Sequence, residues 1–149
     1  MNTPHLPIPE HLTALIAQGA WTPTGATPGM MINLGKDAAH RLSSEDDELI
    51  LMPPPFHTIA DEVVGGNSWW NTYLGNVGEI DYSKALIIAD FGMGSDSPIV
   101  IYYQPLTEPV VMYLKWERQG QQIKHSWIRT HSSFVDFAKD VGLINADAQ

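Results

Sequence analysis

The stretch IADFGMGSDSPIVIYY, Ile88–Tyr103, places two β-rich runs on either side of a cluster of glycine, serine and aspartate. Its tripeptide Asp90-Phe91-Gly92 matches the one that supplies a magnesium-binding carboxylate in protein kinases. A kinase also needs a glycine-rich loop, a strand lysine and a catalytic-loop Asp and Asn upstream, and none of these is in the chain. The alternative reading is mechanical. Gly92 and Gly94 permit positive φ, while the side-chain oxygens of Ser95, Asp96 and Ser97 accept from backbone N–H groups of a turn. A phosphate loop would put a helix directly after the glycines, whereas here Pro98-Ile99-Val100-Ile101 follows, which is a strand pattern. Asp90 is therefore expected at the end of a strand, with Gly92, Gly94, Ser95 and Asp96 turning the chain into the next.

Working outward, Ala85–Phe91, Pro98–Tyr103, Val110–Trp116 and Ser126–Thr130 are β-rich runs separated by GMGSDS, QPLTEP and ERQGQQ. Such short connections favour antiparallel neighbours, so a four-strand meander is expected. Phe134, Phe137, Ala138 and Val141 then form an i, i+3, i+4, i+7 stripe. Ser133 stands as its N-cap with Asp136 three residues on, and Gly142 as its stop. This pattern predicts a C-terminal helix packed on the sheet.

The first half is less periodic. Pro9 leads into Leu12, Leu15 and Ile16, and Gly19 follows, which predicts a helix over residues 9–18. From Trp21 to Gly35 the spacing fits neither period, so a loop held down by Trp21, Met30 and Met31 is expected. Glu48–Met52 reads as an edge strand stopped by Pro53-Pro54-Pro55. Thr58–Val64 reads as a helical turn or more, with Ile59 and Val63 on one face. Trp69 and Trp70 are adjacent, so at most one is central to the core. The fold class expected is α+β: an antiparallel, possibly mixed sheet with flanking helices, in one domain spanning residues 1–149.

Of the 149 residues 44% are hydrophobic and 17% charged, the balance of a folded chain, and the absence of cysteine excludes disulfides and thiolate chemistry. No apolar run approaches the length of a bilayer span, and MNTPHLPIPE has neither a basic nor an apolar leader segment, so no membrane contact and a cytoplasmic location are expected. The net charge of −9 disfavours direct nucleic-acid binding and favours a basic partner. Residues 37–62 hold seven acids, among them Glu45, Asp46, Asp47, Glu48, Asp61 and Glu62, against Arg41 alone.

Catalytic patterns are missing. No histidine pair has zinc-ligand spacing, and no G-x-S-x-G elbow joins strand to helix. His57 with Asp61, and His125 with His131, are read as surface or packed histidines. The paired acids Asp46-Asp47 and Asp61-Glu62 sit in polar sequence that would not separate their pKa values, so they are read as solvated acids or a recognition surface. An enzymatic reading would gain from a deep pocket gathering Asp90, Asp96 and a histidine, and would lose if both carboxylates merely accept backbone N–H bonds in the turn.

Glu79-Ile80-Asp81, Leu86–Ile99, Pro109-Val110, Leu114-Lys115-Trp116, Trp127 and Ser133-Phe134-x-x-Phe137 together resemble the SUKH superfamily, in its Smi/Knr-like bacterial members. The resemblance covers roughly residues 48–143 and is most specific at the glycine-serine-aspartate segment. It implies an α+β domain without catalytic activity or cofactor, often an immunity protein that neutralises a toxin, commonly a nuclease; fungal relatives regulate cell-wall synthesis through protein contacts. Where the family usually reads Leu-Asp-Tyr-Arg after the glycine turn, this chain has Ile101-Tyr102-Tyr103-Gln104. The expected partner contacts are Glu45, Asp46, Asp47, Glu48, Asp61, Glu62 and Tyr102, facing a basic toxin domain. A regulatory or scaffold module that binds a cellular protein is the alternative.

Overall fold

A computed structural model describes residues 6–26, 29–34, 48–64, 80–91, 98–104 and 108–144, with side chains at all of these except 63–64, 91, 116–119 and 122–125. The elements in chain order are α1 (Glu10–Ala17), β1 (Met30–Asn33), β2 (Glu48–Leu51), β3 (His57–Thr58), α2 (Ile59–Val64), a 3-10 turn (Tyr82–Lys84), β4 (Ala85–Phe91), β5 (Pro98–Tyr102), β6 (Val110–Gln119), β7 (Gln122–His131) and α3 (Phe134–Asp140). One antiparallel sheet runs β1-β2-β4-β5-β6-β7, with β3 paired to β4 beside β2. The class is α+β, and β4 to β7 form the expected meander.

The opening stretch lies within that meander. Asp90 pairs with Ile50 on one side and Pro98 on the other, so it belongs to β4 itself, and the six residues after Phe91 join two antiparallel neighbours. Gly92, Gly94, Ser95 and Asp96 lie outside the described residues.

The helix-bearing face holds most of the core. Leu12 and Leu15 of α1 and Phe134, Phe137 and Ala138 of α3 meet Leu51, Ile88, Ile99 and Ile101 of the sheet, all buried. Burying each Leu or Phe contributes about 1.5–3 kcal/mol, and that gain holds the two short helices in place. Both helices end in the same way. Gly19 (φ +79°) and Gly142 (φ +85°) take the left-handed position, with Ala20 N–H donating to Leu15 C=O and Leu143 N–H to Ala138 C=O. At its start α3 is capped as expected, with Ser133 Oγ accepting from Asp136 N–H at 3.1 Å. On the opposite face Ile59, Ala85, Val100, Leu114 and Trp127 form a second, smaller cluster under α2 and the 3-10 turn.

Four expectations need correction. The Trp21–Gly35 segment is not all loop, because Met30–Asn33 is a strand paired with β2. Its four residues show no alternation of buried and exposed positions, so pairing rather than burial makes it a strand. Met30 and Met31 do not pack the segment down, being 36% and 46% exposed; Trp21 alone does so, fully buried, with its indole N–H donating to Met52 C=O at 2.7 Å. β2 is not an edge strand, since it pairs with β1 and β4 and buries Leu49 and Leu51. The proline stop marks where its ladder ends, not which side is open. Finally, ERQGQQ is not a loop between β6 and β7. Gln119 pairs with Gln122, and only Gly120 (φ +64°) and Gln121 turn the chain. Trp69 and Trp70 lie outside the described residues.

Candidate functional site

Three of the described acids, Asp61, Glu62 and Asp81, lie on the elements that cover the smaller cluster. Thr58 begins α2 with a reciprocal cap: its N–H donates to Asp61 Oδ2 and its Oγ1 accepts from Asp61 N–H, both at 3.0 Å. The cap sets Asp61 and Glu62 in the first helical turn, where the N-terminal dipole favours negative charge. Ile59 anchors the turn to the cluster beneath.

The adjoining 3-10 turn uses the same device. Asp81 Oδ1 accepts from Ser83 Oγ at 2.7 Å and from Ser83 N–H at 3.0 Å. The Ser83 hydroxyl, then its amide, hold the Asp81 carboxyl below the usual carboxylate range, with Lys84 adding to the effect. Asp81 N–H in turn donates to the Tyr102 hydroxyl at 3.0 Å. Tyr102, one of the expected partner contacts, holds this turn through its hydroxyl, and its ring packs on the cluster with Tyr82 and Ile80. α2 packs against the 3-10 turn, so Asp61, Glu62, Asp81 and the two tyrosines share one end of the sheet.

Of the remaining expected contacts, Glu48 is elsewhere. Glu48 opens β2 beyond the Leu49↔Phe91 pair, whereas α2 follows the Thr58↔Leu86 pair. Seven residues of β4 separate the two ends, about 20 Å of extended chain. The acidic segment is therefore not one continuous patch among the described residues. Glu45, Asp46 and Asp47 lie outside them.

Among the histidines, His57 is exposed on β3, and His131 lies against Asp140 of α3. Among the described residues no group of three or more His, Cys, Asp or Glu is placed to hold a metal ion.

A cleft of about 250 Å³ opens where Pro7 and Pro9, Tyr103, Glu108 and Pro109, and Phe134 converge. Tyr103 donates its hydroxyl to Pro7 C=O, and desolvation raises its pKa to about 12. The lining comes from segments far apart in sequence, and no local motif announces it. No helix among the described residues is long and apolar enough to cross a membrane. No family model, no curated protein and no solved structure matches this chain.

Proposed function

We propose that the protein is a non-catalytic, cytoplasmic binding domain of the immunity type, laying an acidic surface over the basic substrate cleft of a toxin domain. The observation that carries this reading is the acidic, aromatic end of the sheet, where Asp61, Glu62 and Asp81 stand beside Tyr82 and Tyr102. Lys84 is the only cation on α2 and the 3-10 turn. The caps hold Asp61 and Asp81 in fixed positions, so little side-chain freedom is lost when a cation docks against them. The net charge of −9 would steer a basic partner toward the surface, and the resemblance to SUKH immunity proteins supports the same role.

The test is to mix the chain with the protein encoded beside it at increasing salt. The expected result is a complex whose association slows with salt and slows about tenfold further on Glu62→Lys. Absence of binding, or binding indifferent to both changes, sinks the reading. Recovery of a partner that is not a toxin assigns the surface to a regulatory or scaffold role.

A further inference from the structure

The two edges of the sheet are built differently. β7 carries the exposed Arg129, and its register to β6 is broken near Val111. Charge and irregularity are devices that keep an edge strand from pairing with another chain. β1, at the other edge, reads Met-Met-Ile-Asn, without charge or proline and in unbroken register with β2. Among the described residues it is the less guarded edge, and Met30 and Met31 are its exposed large apolar side chains.

The phase of the ladder shows which backbone groups are on offer. Met30 N–H donates to Thr22 Oγ1 at 2.8 Å, and that hydroxyl donates to Leu51 C=O at 2.6 Å, so Met30 faces inward to β2. Successive residues of a strand turn their N–H and C=O to opposite sides. Met31 therefore directs both away from β2, toward the side where no described strand lies. Its side chain shares a face with Ile50, its partner in β2, and so with the exposed Glu48 two residues before.

We infer that β1 is an addition site for an extended, basic segment of a partner protein. The segment pairs with Met31 as a further antiparallel strand, sets apolar side chains on the methionines and brings a lysine or arginine within reach of Glu48. The chain's net −9 selects this occupant over a second copy of itself, which would bring the same charge to the same edge. β1 is only four residues long, so the ladder is short and the side chains and charge must supply most of the affinity. The inference rests on the basic-partner reading above and adds the place where backbone pairing occurs.

A fluorescent peptide of alternating valine and lysine tests it by anisotropy against the intact protein. The expected result is binding that weakens with salt and drops about tenfold or more when alternate peptide amides are N-methylated, or when glutamate replaces lysine. Met31→Pro removes the outward N–H and leaves the inward ladder intact, so it should lower binding about tenfold while the melting temperature holds within a few degrees. If Met31→Pro does not fold, Met31→Lys should give the same loss by repulsion. Equal binding by the N-methylated peptide, or indifference to both variants, overturns the inference. Self-association in sedimentation that Met31→Lys abolishes also overturns it, by giving the edge to a second copy. Full binding of the neighbouring gene product by Met31→Pro, with Glu62→Lys still weakening it, defeats the strand-addition site and leaves the proposed function standing. Loss of both effects defeats the function itself.

Discussion

His131 Nε2 lies 3.0 Å from Asp140 Oδ2, tying the last strand to the last helix. The two side chains are only 11% and 16% exposed, and the imidazole stands nearly perpendicular to the Phe137 ring with 5.5 Å between ring centres. A bulge makes this meeting possible. Arg129 opposes Met112 and His131 opposes Val111, so Thr130 has no opposite residue and His131 turns onto the helix-bearing face. Substituting His131→Ala and Asp140→Ala singly and together should give a coupling of about 1–2 kcal/mol in urea unfolding. Additive losses would mean that the pair contributes nothing beyond its separate packing.

Thr22 offers a second test, because its buried hydroxyl stands between Met30 N–H and Leu51 C=O where a direct ladder bond would otherwise run. Thr22→Val keeps the shape and orphans both backbone groups, so it should cost about 1–3 kcal/mol. Thr22→Ser should recover most of that loss. Equal stability of the two variants in chemical denaturation would refute the bridging role.

Gly29 approaches β2 too closely to carry a side chain. A Cβ there would lie 2.5 Å from Leu51 O and 3.2 Å from Ile50 Cγ2, and the first is backbone that cannot move aside cheaply. Gly29→Ala should therefore destabilise the protein by about 1–3 kcal/mol. Hydrogen exchange should rise first in Met30–Asn33, whereas a uniform rise across the sheet would count against local detachment of β1.

Tyr103 gives a pH dependence of known sign. Burial raises its pKa from 10.0 to about 12, so the neutral phenol is favoured in the folded state. The stability tied to that phenol is complete below pH 10 and is lost as pH rises toward about 12, because the unfolded chain releases the proton first. Tyr103→Phe should flatten the fall in urea midpoint across that window relative to the native chain. Identical profiles for the two proteins would exclude the mechanism.

Legibility in the sequence followed the range of the forces involved. The stripe Phe134, Phe137, Ala138, Val141 and the stops at Gly19 and Gly142 were readable because helix periodicity and a left-handed C-cap are local requirements. β4 and β5 were readable because both combine β-branched runs with short connections. β1 was not, since Met30–Asn33 has no period and owes its form to Leu49, Ile50 and Leu51 across the ladder. The polar ends of β6 and β7 were missed for a related reason, as pairing across a two-residue turn needs no apolar alternation. In the site, the acids of α2 were visible as residues and their cap is local, three residues from Thr58 to Asp61, whereas the bond from Asp81 N–H to the Tyr102 hydroxyl depends on segments 21 residues apart meeting in space.

By itself the sequence determined the net charge, the α+β class, the meander with its closing helix, and Asp90 as part of a strand. These follow from composition and from periods of 2 and 3.6, which each segment carries without its neighbours. Only the tertiary structure decided that β2 is interior, that β1 is the terminal strand of the sheet among the described residues, and that Glu48 stands at the far end of β4 from Asp61, Glu62 and Tyr102. Those outcomes depend on which strand lies beside which, and that choice is made when apolar faces close over a common core.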